Sequence, residues 1–102
     1  MRIREQLDGD RLTLFLEGTF DEGTSPAVEE KLEEALLTDA SKICFNMSKV
    51  DYLSSAGIRV MIIAHKKSIK SGKTIEVGEM SDKVQDVLEV VGILPLFGDP
   101  TR

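Results

Sequence analysis

Apolar positions recur along this chain with two rhythms, and the changes of rhythm mark its elements. Arg2 to Gln6 and Arg11 to Leu16 flank Leu7-Asp8-Gly9-Asp10, and the second run, Leu12-Thr13-Leu14-Phe15-Leu16, is apolar and suited to a strand. Asp-Gly between two such runs is a hairpin signal, so the spacing predicts two antiparallel strands. Gly18 is expected to close the second strand, leaving Thr19-Phe20-Asp21-Glu22-Gly23 as a loop. Ser25-Pro26 then reads as a helix start, with serine at the cap and proline at the first helical position. Val28, Leu32, Ala35 and Leu36 follow at helical spacing, with the acidic residues of Glu29 to Glu34 mostly on the other side. That helix is expected to run to about Leu37.

Lys42-Ile43-Cys44-Phe45-Asn46-Met47 returns to strand-forming residues. After Ser48 to Leu53 the rhythm becomes helical again, from about Ser55 to Ser71, with Gly72 as a natural stop. At 100° per residue, Ile58, Met61, Ile62, His65 and Ile69 share one face of this second helix. Arg59, Ile63, Lys66, Lys67 and Lys70 fall on the opposite face. Lys73 to Gly78 alternates as a half-buried strand should, and Ser81 is placed to cap a third helix carrying Val84, Val87, Leu88 and Val91. Gly92 ends it, and Ile93-Leu94-Pro95-Leu96-Phe97 is an apolar tail that reads as a short edge strand. The order predicts one α/β domain over residues 1–102: a mixed four- to five-stranded sheet with helices packed against it.

Composition narrows the function. Charged residues make up 30% of the 102 and hydrophobic ones 41%, as in an ordinary globular domain. The formal net charge of −5 argues against nucleic acid or an anionic membrane as partner. Nothing resembles a signal peptide, and no apolar run approaches the roughly 20 residues that span a bilayer, so the expected location is cytoplasmic. The single Cys44 lies in an apolar run and reads as a buried, inert thiol.

Enzymatic constellations are thin. The one histidine, His65, sits on the apolar face of the second helix, where a core or boundary role is the ordinary one. There is no Gly-rich phosphate loop, and the acidic run from Glu29 to Glu34 reads as a solvated helix face. No catalytic residue, metal site or cofactor is expected.

What remains is Ser54-Ser55-Ala56-Gly57, at the joint between the third strand and the second helix. Serine at a helix start is most often a cap. An exposed hydroxyl there can also accept a phosphoryl group, whose charge of about −1.5 to −2 would meet free N–H groups and the positive end of the helix dipole. Arg59, four residues after Ser55, can reach back towards such a phosphate. Ala56 and Gly57 are small enough to let another protein approach, and Ile63 among basic neighbours suits a partner-binding face.

These residues carry a family resemblance. Tyr52-Leu53-Ser54-Ser55-Ala56-Gly57-Ile58-Arg59-Val60 after a strand, and Leu16-Glu17-Gly18-Thr19-Phe20-Asp21 before the first helix, resemble the STAS domain of anti-sigma factor antagonists. The resemblance covers essentially the whole chain. It implies a bacterial partner-switching module, not an enzyme: unphosphorylated, it binds an anti-sigma factor that is also a serine kinase and so frees a sigma factor. Phosphorylation by that kinase ends binding, and a PP2C-type phosphatase reverses it. The acceptor maps to Ser55, and the family's loop aspartate maps to Asp21. Ser54 stands where the family has an acid, Ala56 removes a second hydroxyl, and Arg59 replaces a frequent glycine. Two other readings keep the fold: a non-switching scaffold subunit of a transporter or signalling complex, and a nucleotide-binding module.

Overall fold

Period-two alternation sends Leu12, Leu14 and Leu16 to one side of a strand and Arg11, Thr13 and Phe15 to the other, and the first set is buried. That strand, β2 (Arg11–Phe20), pairs antiparallel with β1 (Arg2–Asp8) across the Asp8–Arg11 turn, where Gly9 has φ +61°. It pairs parallel with β3 (Lys42–Leu53), which pairs parallel with β4 (Thr74–Met80). Among the described residues the sheet therefore has four strands in the order β1-β2-β3-β4. Each parallel connection is a helix, α1 (Ser25–Leu36) and then α2 (Ser55–Ser71), and α3 (Asp82–Val91) follows β4. The structure, a computed structural model, describes residues 1–100; residues 101 and 102 of the expected domain lie outside the described residues.

One core joins the layers. Leu14, Leu16, Ile43, Phe45 and Met47 from the sheet meet Val28 and Leu32 of α1, Val60 and Met61 of α2, and Val84 and Leu88 of α3. The other face of the sheet carries no helix among the described residues, yet it is not bare. Arg11 donates from Nε and Nη2 to the two carboxylate oxygens of buried Glu76, at 2.6 and 3.3 Å. Cys44, buried beside Glu76 in register, points to the same side.

Several boundaries differ from the sequence reading, each for a physical reason. Gly18 does not close β2: it sits inside the strand at a register shift with φ +111°, a conformation glycine tolerates, and pairing with β3 carries the strand on to Phe20. The residue flanking α1 is Thr24, and Ser25 is its first helical residue. Residues 48 to 53 are strand rather than connection, because β2 accompanies them along one edge. The tail is no edge strand over Ile93–Phe97. Leu94–Leu96 form a 3-10 turn, since Pro95 lacks a ladder donor, and the edge pairing is made one residue later by Gly98 against Glu76.

The largest correction concerns α2. Its buried residues are Ala56, Gly57, Val60, Met61, Ala64 and Ser68. Of the face expected inside, only Met61 is fully buried; Ile58 and Ile62 pack at the margin, and Ile69 is 68% exposed. Small residues let this helix lie close to the sheet, so backbone proximity rather than side-chain bulk sets the buried stripe. His65 is a boundary residue whose ring meets Phe97 edge-on, with centroids 6.1 Å apart.

Candidate functional site

The site is built where β2 and β3 end and α2 begins. β2 finishes at Phe20, whose ring is fully buried, and β3 finishes at Leu53, 4% exposed. The backbone N–H of Ser54 donates to the carbonyl of Phe20 at 3.0 Å, which fixes the two chain segments to one another. Ser54 is in extended conformation (φ −90°, ψ 174°), and its Oγ accepts from the N–H of Gly57 at 3.5 Å. It is the cap of α2. Its carbonyl accepts the first helical bond, from Ile58 N–H at 3.0 Å.

Ser55 is the first helical residue and is exposed. With Gly57 N–H taken by Ser54, the N–H groups of Ser55 and Ala56 have no acceptor within the helix. There is no acidic side chain in the first turn of α2, so the dipole's positive end is uncompensated there. Arg59, one turn on, is exposed and takes part in no ion pair among the described residues.

Asp21 opens the turn after β2, adjacent in chain to Phe20 and hence to the Ser54 contact. Its Oδ1 accepts from the N–H groups of Gly23 and Thr24 at 2.9 and 3.2 Å. Thr24 Oγ1 in turn donates to the Thr19 carbonyl at 2.7 Å. The carboxylate thus shapes its own loop. A further acid, Asp51, stands on the exposed end of β3 and accepts from Thr19 Oγ1 at 3.0 Å.

Ala56 and Gly57, expected to let a partner approach by their small size, are both buried. Ala56 is 6% exposed, and a Cβ on Gly57 would come within 2.6 Å of Leu53 Cδ1 and 3.0 Å of both the ring and carbonyl of Phe20. Gly57 seats the helix against Leu53 and Phe20, and so places Ser55. The basic stripe of α2 is also divided. Lys67 pairs with Glu33 of α1, and Ile63, one turn before it, is half-buried on the same side. Arg59, Lys66 and Lys70 remain exposed. Sequence reasoning does not single out Tyr52, yet it is 57% exposed, three residues before Ser55. An aromatic beside Asp51 at a strand end was the available signal.

Among the described residues no group of His, Cys, Asp and Glu could hold a metal ion, and no helix is long and apolar enough to cross a membrane.

Comparison with known proteins gives a consistent picture. The family model for the STAS domain matches residues 2–102. A putative anti-sigma factor antagonist, BtrV, of Bordetella bronchiseptica is 25% identical over 93 residues, covering 91% of this chain and 79% of the relative. The anti-sigma-B factor antagonist of Listeria monocytogenes is 26% identical over 93 residues, covering 91% and 81%. In structure, the anti-sigma factor antagonist SpoIIAA in its unphosphorylated form superposes with TM-score 0.81 at 16% identity, covering 99% of this chain and 90% of that one. The phosphorylated form of the Bacillus protein superposes with TM-score 0.73, at 16% identity and covering 99% and 93%.

Proposed function

This chain belongs to the STAS domain family, and on that footing we propose that it is an anti-sigma factor antagonist switched by phosphorylation of Ser55. Unphosphorylated, it binds a serine-kinase anti-sigma factor and releases a sigma factor; the kinase then modifies Ser55, and a PP2C-type phosphatase restores it. The observation that carries this reading is the division of labour between two adjacent serines. Ser54 is spent as the cap of α2 and as the donor to the Phe20 carbonyl, while Ser55 is exposed on the first turn, where N–H groups lack a helical acceptor and no acidic side chain stands. That SpoIIAA is known in unphosphorylated and phosphorylated forms supports the same direction.

The physical effect is local. A phosphate on Ser55 gains about 0.3–1 kcal/mol per charge from the helix terminus, so the fold tolerates it. Arg59 is one turn away on the same side and can pair with it. Asp51 and Tyr52 flank the site, and a dianion placed among them opposes desolvation and docking of a partner. With the cognate kinase and ATP, peptide mass spectrometry is expected to find one phosphate on the wild type and on Ser54→Ala, and none on Ser55→Ala. Full labelling of Ser55→Ala overturns the assignment.

A further inference from the structure

The helix-free face of the sheet holds a recess of about 150 Å³, bounded by Arg2, Arg4, Phe15, Asn46 and Lys49. Its origin lies in the register. Between Phe15↔Asn46 and Glu17↔Lys49, β3 spends one residue more than β2; between Phe45↔Val77 and Met47↔Met80, β4 spends one more than β3. Two bulges therefore fall side by side in neighbouring strands, where extra residues bend the strands and re-aim side chains. The first is fixed by Ser48, whose N–H and Oγ–H both donate to Asn46 Oδ1, at 3.1 and 2.8 Å. The amide nitrogen of Asn46 keeps its two donors unspent among the described residues.

Arg4 supplies the recognition group. Its guanidinium lies 4.9 Å from the centre of the Phe15 ring, an arrangement that holds the plane while leaving the N–H edge free for a forked acceptor. It enters no ion pair among the described residues. The charges around it leave a surplus. Glu17 stands opposite both Arg2 and Lys49 in register, and Glu79 adds a second acid, so three cations against two carboxylates give one positive charge on a chain of net −5. The volume is below the roughly 300 Å³ of a small-molecule pocket and suits one side-chain group. We propose that this recess docks a side-chain carboxylate from an acidic segment of a partner protein, with Arg4 as the forked donor. The contact is on the face opposite α2 and is independent of Ser55.

The test uses the full chain labelled with 15N and two blocked dipeptides at constant ionic strength, N-acetyl-Glu-Glu amide and its Gln-Gln counterpart, with inorganic phosphate as a third titrant. The Arg4 Nε–H and Asn46 side-chain amide signals are expected to shift saturably with the glutamate probe, with a Kd on the order of millimolar. Arg4→Gln is expected to weaken this at least tenfold without changing the remaining spectrum, Arg4→Lys to fall between, and Ser55→Asp to leave it unaltered. Equal shifts with the Gln-Gln probe, a linear response without saturation, or saturation by phosphate alone each overturn the proposal.

Discussion

The backbone N–H of Ser54 donates to the carbonyl of Phe20 at 3.0 Å, and this bond ties the end of β2 to the start of α2. Phe20 is also what Gly57 packs against, through both its ring and that same carbonyl. The residue that ends one strand is thus the seat of the helix that presents Ser55. Position and chemistry at the joint are coupled: whatever displaces α2 from Phe20 displaces the Ser55 hydroxyl, the acceptor proposed above.

Gly57→Ala tests that seat. The added Cβ would lie 2.6 Å from Leu53 Cδ1 and 3.0 Å from Phe20, and the contact with backbone cannot yield by rotamer change. Overpacking of this kind costs about 1–3 kcal/mol, partly offset by the better helix propensity of alanine. Urea denaturation is expected to show a lower midpoint at unchanged slope, a net loss of about 1–2 kcal/mol. An unchanged or raised midpoint would mean that α2 is not held against Phe20.

The two serine caps should differ in strength. Ser54 Oγ accepts from Gly57 N–H at a long 3.5 Å, whereas Ser81 Oγ accepts from Val84 N–H at 3.3 Å and also donates to the Val50 carbonyl at 2.6 Å. Replacing a capping serine by alanine costs about 0.5–2 kcal/mol. Ser54→Ala is expected near the low end and Ser81→Ala near the high end, because the latter also strips the Val50 carbonyl of its partner. Paired thermal melts decide the order.

Cys44 offers a pH-dependent readout of the helix-free face. Burial, with the nearby Glu76 charge, pushes its thiol from an ordinary 9.0 up to about 11. At pH 8 the native thiolate fraction is then about a hundredfold below that of the unfolded chain, so aromatic disulfide reagents should label native protein at least that much more slowly. The sign for stability follows: the protonated thiol is favoured by folding, so its contribution is complete below pH 9 and is lost as pH rises towards 11. Rapid native labelling at pH 8 would place Cys44 outside the protected face.

Most elements were legible in the sequence because periodicity and punctuation agreed, as at Asp8-Gly9, Gly72, Ser81 and Gly92. The buried face of α2 was not. Periodicity counts large apolar residues, while Ala56, Gly57, Ala64 and Ser68 are inside because they are small. The reach of β2 to Phe20 was hidden for another reason: the strand is extended by its parallel partner, and Gly18 looks locally like a stop. At the site, the cap role of Ser54 and the exposure of Ser55 could be anticipated from local chemistry. The engagement of Lys67 with Glu33 could not, since it depends on how α1 and α2 lie together.

Binding of the protein carrying phosphoserine at position 55, set against the unmodified protein, tests the central claim most directly. Calorimetry with the kinase-type anti-sigma factor of the same organism is expected to give a Kd at least tenfold weaker for the phosphorylated protein, about 1.4 kcal/mol or more, with a melting temperature preserved. Equal affinity of the two forms would contradict the switch.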